Sequence, residues 1–305
     1  MTQTTANGPQ ALAGTLRDAL ARGRNADGGW GYFPGKTSRL EPSCWATLAL
    51  ARPGRGPAPA PETAPLFRLM AAWRQASGLL AEGGAPPNLA YNGLAALAAG
   101  ACAGHADERG QVARLRTSIA RVRGVRLWPA IYQRQNNRLR GWPWIEETFS
   151  WTEPTAWCLL ALKRWRAELT DAERARIGEA EAVLVDRSCS AGGWNVGNSN
   201  VLGRQLVPHV PTTAAALLAL QDRLELPAFR RGLDYLQGAW SRERSGLGLA
   251  LSALALSAVR LPADAMAPAL EEAERRTGFL GNFCVMGMAA VALDTIDGAR
   301  NPFAL

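Results

Sequence analysis

Hydrophobic positions along this chain recur at helical spacing, and the alternation that marks half-buried strands is nearly absent. Two kinds of helix take turns. The first is amphipathic, with Arg, Glu and Asp on one face and Leu, Ala and Val on the other; it is predicted at 10–24, 62–82, 107–124, 171–189, 226–240 and 262–277. The second is almost uncharged and rich in Ala and Leu; it is predicted at 42–52, 87–100, 154–166, 211–222, 246–259 and 281–293. A helix that is apolar all round has to be buried. Alternation of the two kinds predicts an all-α fold, an (α/α)6 toroid in which the apolar helices form an inner barrel and the charged helices an outer ring. One outer–inner pair makes a repeat of about 50 residues, a period typical of repeat architectures. Such repeats use up the sequence, so 1–305 is expected to be a single domain.

The repeat is visible in the letters. Gly29-Trp30 followed by Glu41-Pro42-Ser43-Cys44-Trp45 returns as Gly141-Trp142 followed by Glu153-Pro154-Thr155-Ala156-Trp157, with the same Trp-to-Glu spacing. Gly193-Trp194 and Pro211-Thr212-Thr213 form a third copy with a longer loop. Pro42, Pro87, Pro154 and Pro211 fall at starts of apolar helices, where a fixed φ suits the first turn. The segment Pro53–Pro65 reads as a stiff connector. Connections into the apolar helices are long at 25–41, 125–152 and 190–210, and in a toroid they gather at one end. That end receives Trp30, Tyr32, Trp128, Tyr132, Trp142, Trp144, Trp151 and Trp194, so the mouth of any pocket is expected there.

Composition changes this picture little. The five cysteines have no regular spacing, which argues against a disulfide framework and for a reducing, cytoplasmic setting. The opening residues, Met1 to Gln10, predict no secretory leader, and no apolar run is long enough to span a bilayer. The net charge of +8 is carried almost wholly by arginine, since only Lys36 and Lys163 are lysines. Those charges are scattered, so nucleic acid is not the expected partner; peripheral contact with a membrane stays open.

Asp27-Gly28-Gly29-Trp30-Gly31 and Ala191-Gly192-Gly193-Trp194 resemble the Gly-x-Trp end of the repeats of squalene–hopene cyclases, and Glu153-Pro154-Thr155-Ala156 resembles the start of their inner helices. At the level of repeats the chain is similar to the α/α-toroid superfamily of those cyclases and of protein prenyltransferase β-subunits. The resemblance implies a central cavity for an isoprenoid-derived, hydrophobic substrate. It does not bring the superfamily's catalytic sets with it. There is no Asp-x-Asp-Asp acid motif; Asp294-Thr295-Ile296-Asp297 is the nearest acidic pair and reads as a surface helix end. The zinc ligands of the prenyltransferases, the Cys-rich zinc signature of lanthipeptide cyclases and Asp-rich magnesium motifs are also missing, so no metal and no cofactor is expected.

Candidate acid or base groups are Glu153, His209 and Glu41. Both glutamates precede proline at a helix start, where the helix dipole favours a carboxylate; aromatic surroundings would raise their pKa into a useful range. Glu146 and Glu147 are weaker candidates in the same loop. His209, held between prolines, reads as belonging to the neighbourhood equivalent to that of Glu41 and Glu153. Trp45, Trp157, Tyr91, Trp142, Trp144 and Cys44 are candidates to line the cavity, since aromatic faces stabilise cations. Asn92 joins them as a polar group in an apolar helix, while Asn88 and Asn282 read as helix caps. Arg134, in the run Gln133–Arg138, is a candidate to hold an anionic head group. The Gly-Gly-Trp tryptophans also read as staples between repeats. Three other functions stay open: a non-catalytic toroid binding lipid or protein, a polysaccharide-acting toroid, and a divergent zinc enzyme.

Overall fold

The computed structural model describes residues 9–57, 59–128 and 135–305. Among them, twelve α-helices dominate: α1 (Pro9–Arg22), α2 (Leu40–Ala51), α3 (Ala60–Trp73), α4 (Leu89–Cys102), α5 (Ala106–Arg121), α6 (Thr152–Arg164), α7 (Asp171–Arg187), α8 (Val210–Ala219), α9 (Pro227–Ala239), α10 (Gly246–Ala258), α11 (Met266–Thr277) and α12 (Phe283–Ile296). Among the described residues, the one strand pairing longer than a single bridge is a short antiparallel hairpin, β1 (Asn200–Val201) with β2 (Arg204–Gln205). The fold is all-α. No described helix is long and apolar enough to cross a membrane.

The even-numbered helices are the apolar ones, and almost every residue along them is buried. Each packs on the next even-numbered helix, and α12 packs on α2. Odd-numbered helices bury one stripe against the even-numbered neighbours; in α9, for instance, Phe229 and Leu236 are buried while Arg230 and Arg231 are exposed. The buried apolar residues form one connected core to which all twelve helices contribute. Two contacts between even helices need glycine. A Cβ on Gly93 would sit 2.8 Å from the backbone of Trp157 and Cys158, and one on Gly287 2.8 Å from the Trp45 carbonyl carbon. Real Cβ atoms do not approach so closely, so these glycines let α4 meet α6, and α12 meet α2, backbone to backbone.

Four of the six turns into even helices, those before α2, α4, α6 and α8, are built on one plan. The Trp30 N–H donates to Ser43 Oγ, that of Trp142 to Thr155 Oγ1 and that of Trp194 to Thr213 Oγ1, at 2.9–3.0 Å. The indoles of the same residues donate to Leu20, Ile119 and Leu184, at the ends of α1, α5 and α7. A fourth turn does the same without tryptophan: the Leu80 N–H donates to Asn92 Oδ1 at 2.7 Å. Ser43, Asn92, Thr155 and Thr213 are each the fourth residue of their helix, and each takes up a backbone donor that would otherwise be buried unpaired.

Three expectations need correction. α3 ends at Trp73, not at 82, because Ser77-Gly78 turns the chain with Gly78 at φ 84°. The Pro53–Pro65 connector is shorter than expected, since α3 already begins at Ala60 and carries Pro65 inside it. Asp294 is not at the surface: it is buried and ion-paired with Arg17 and Arg52, both at 2.9 Å.

Candidate functional site

α2 and α6 start in the same register. Glu41 and Glu153 are second in their helices, proline is third, and the hydroxyl that holds the turn is fourth. Both glutamates lie deep among the even helices yet keep part of their surface accessible. The same partial exposure occurs near the start of the other even helices, at Tyr91, Pro211, Leu247, Val285 and Met286, whereas positions further along these helices are mostly buried. Glu41, Glu153, Tyr32, Tyr91 and Cys284 interact with one another here, and the partly accessible level they occupy forms a recess at the starts of α2, α4, α6 and α12.

The Tyr32 hydroxyl donates to Glu41 Oε2 at 2.6 Å and lies 3.1 Å from the Tyr91 hydroxyl. Tyr91 and the thiol of Cys284, on α12, also hydrogen-bond Glu41. Glu153 accepts from the indole of Trp157, four residues on. In the matching pair of the first copy, the Nε1 of Trp45 is buried without a partner, because Tyr32, Tyr91 and Cys284 hold Glu41 instead. Below the carboxyls the space is filled: Trp45, Trp157 and Phe303 pack ring against ring, with centroids 5.1–6.1 Å apart. Phe303 is brought there by the segment after α12, which is tied by Asn301 to the Leu254 carbonyl and by Gln221 to the Phe303 carbonyl.

Electrostatics single out Glu153. Burial, and then the charge of Glu41, push its pKa up to about 7; the Trp157 hydrogen bond pulls the other way. Burial likewise raises Glu41, opposed by its bonds to Tyr32, Tyr91 and Cys284. Helix-start dipoles, at typically 0.3–1 kcal/mol, are too weak to offset this. Burial raises both carboxyl groups and the charge of Glu41 raises Glu153 further, so Glu153 is placed to exchange a proton near neutrality. Burial also raises the Tyr32 and Tyr91 hydroxyls, which therefore act as donors.

Several candidates lie elsewhere. His209 is exposed and occupies the N-cap of α8, two residues before Pro211, the true counterpart of Glu41 and Glu153. Asn92 does not line the recess; both ends of its amide are spent on Leu80 and Asn88. Trp142 is fully buried as a staple, with the Arg176 guanidinium 4.3 Å from its ring. Cys44 and Trp45 are wholly buried in the core. Trp157 is buried too, but touches the site through Glu153. Tyr91 and Trp144 remain at the recess, packed edge to face at 6.5 Å. Glu146 and Glu147 are exposed. Tyr132 and Arg134 lie outside the described residues. Asn88 and Asn282 are N-caps, accepting from Tyr91 and from Cys284 and Val285. Tyr32 and Cys284 are partners of Glu41 that stand outside the candidate set. Among the described residues no group of three His, Cys, Asp or Glu is placed to hold a metal ion. In comparisons by sequence, no family model and no curated protein matches the chain.

The raised pKa of Glu153 has a consequence for stability. A carboxyl with an ordinary pKa of 4.5 when unfolded and about 7 when folded keeps its proton longer in the native state, so stability falls as pH rises between those values. Glu153→Gln removes the penalty. Thermal melts of the variant should be flatter than wild type across pH 5–8, with a gain of about 3 kcal/mol above neutrality at about 1.36 kcal/mol per unit. A variant less stable than wild type at every pH would instead make Glu153 a structural anchor.

Proposed function

We propose that the twelve helices form one (α/α)6 toroid domain spanning 1–305, even helices inside and odd helices outside, and that it is a cytoplasmic enzyme. On this reading it is a terpene cyclase- or prenyltransferase-like toroid acting by acid/base chemistry on a hydrophobic, isoprenoid-derived substrate. Support for the architecture comes from the succession of contacts between even helices, ending in α12 on α2. The observation that carries the activity is the pair Glu41 and Glu153, brought from equivalent positions of two repeats into one apolar recess, with Glu153 titrating at about 7. A group poised there can both give and take a proton near neutrality. Glu153 would exchange the proton with the substrate; Glu41, held by Tyr32, Tyr91 and Cys284, would set its charge state. Tyr91 and Trp144, packed edge to face, would offer aromatic faces to developing positive charge.

A second reading is favoured by the filled space below the carboxyls. With Trp45, Trp157 and Phe303 packed together, the recess is shallow, as suits a lipid-binding scaffold without turnover. Native mass spectrometry with denaturing extraction of the purified protein, followed by incubation with linear isoprenoid hydrocarbons, alcohols and diphosphates, separates the two. The enzyme reading expects a co-purifying or converted isoprenoid and a loss of turnover of about 10²–10⁴-fold in Glu153→Gln, the usual worth of a general acid or base. Binding without conversion would support the scaffold. Turnover unchanged in Glu153→Gln would remove the acid/base role.

A further inference from the structure

Large exposed apolar side chains among the described residues fall mostly on the connections that lead into even helices. Trp128 is 92% exposed, Leu280 77%, Leu202 76% and Val207 72%; Phe33 and Ile145 are exposed beside them in sequence or in neighbouring loops. These connections touch one another. The Phe283 N–H donates to the Tyr32 carbonyl, Leu40 N–H to Glu82, Leu89 N–H to the Trp144 carbonyl and Thr152 N–H to the Val196 carbonyl. The loops before α12, α2, α4, α6 and α8 are therefore continuous, and Glu41 and Glu153 lie at the helix starts they lead into. Their tips are shaped for display. Leu202 stands at the turn of the β1–β2 hairpin with φ 50°, and Leu280 has φ 55°. Left-handed backbone is costly for a branched apolar residue, and neither leucine gains burial in return.

Basic groups stand between these tips. Lys36, Arg126, Arg138 and Arg204 are exposed and have no ion-pair partner among the described residues. Arg126 and Arg138 flank Trp128 in a shared surface hollow. Asp27, in the loop that carries Lys36, and Glu146 and Glu147 are exposed carboxylates on the same connections. We propose that this face docks on an anionic lipid bilayer, the apolar tips entering the interface and the lysine and arginines meeting lipid phosphates. Isolated apolar tips on separate loops, with cations between them, suit a fluid surface whose lipids rearrange around each tip. They form no single groove for a partner helix or strand. Docking of this kind would bring the recess to the surface where apolar substrates reside. It rests on the placement of the loops and not on the acid/base reading, so either can fail alone.

Sedimentation with phosphatidylcholine vesicles and with equimolar phosphatidylcholine–phosphatidylglycerol vesicles tests it, at low and high salt. The full chain should bind the anionic vesicles and leave them as salt rises. Arg126→Gln with Arg138→Gln should weaken binding about fivefold per arginine. Trp128→Ser with Leu202→Ser should lower it on both vesicle types. Leu224→Ser, an exposed leucine in the turn from α8 to α9, should leave it unchanged. Absence of binding to either vesicle would overturn the proposal. So would equal loss in Leu224→Ser, or no loss in the loop variants with circular dichroism showing each folded.

Discussion

Trp142→Ala should be among the most damaging single substitutions in the protein, lowering stability by about 3–5 kcal/mol, as emptying the site of a buried tryptophan commonly does. Several consequences coincide at this residue. The indole is wholly buried, so its removal leaves a cavity between α5, α6 and α7. Its Nε1 donates to the Ile119 carbonyl at 2.8 Å, which would lose that bond at the end of α5. Its ring covers the Arg176 guanidinium at 4.3 Å. Arg176 donates in turn to the Val122, Arg140 and Gly141 carbonyls, so the junction would loosen as a unit. Trp142→Phe should recover most of the apolar burial and cost less, isolating the indole hydrogen bond at about 1 kcal/mol. Urea unfolding curves of the two variants check this; a loss below about 1 kcal/mol in Trp142→Ala would mean that the turn carries no load.

Asp294→Ala should cost a similar amount, about 3–5 kcal/mol, the usual result of breaking a buried ion pair from one side. Asp294 on α12 accepts from Arg17 on α1 and from two nitrogens of Arg52, just after α2. Without it, Arg17 and Arg52 would face each other as like charges in a half-buried site. The pairing joins the first two helices to the last, so its loss should also release α1 first. Hydrogen exchange should show faster exchange in α1 than in α6. A uniform small change along the chain would indicate that the cluster does not tie these helices.

The alternation of charged and apolar helices was legible because the even helices are buried nearly all round, and burial on every side leaves no room for charge. The tryptophan turns were legible because an indole between two helices cannot be replaced cheaply. The turn at Gly78-Leu79-Leu80 escaped notice for the opposite reason: it uses leucine for tryptophan and Asn92 for a hydroxyl. Its function follows from the backbone hydrogen bond of Leu80, not from side-chain letters. Asn92 therefore reads as a polar group seeking a ligand when its partners are main-chain atoms twelve and four residues away. Glu41 and Glu153 could be picked out from their repeat and from the proline beside each. Their different partners could not, since Tyr91 and Cys284 reach Glu41 from helices far away in sequence. His209 misleads because a longer loop shifts the register, so that proline, not histidine, stands where the glutamates do.

The carboxyl pair is tested most directly by carbon-13 NMR of protein labelled at the glutamate carboxyl carbon, titrated across pH 4–9, with Glu153→Gln for assignment. The expected result is one resonance titrating near 7 that disappears in the variant, together with a second buried carboxyl whose titration shifts when Glu153 is neutralised. If every glutamate, Glu153 included, titrates in the ordinary range near 4–5, the coupled pair does not exist and the proposed chemistry of the recess falls with it.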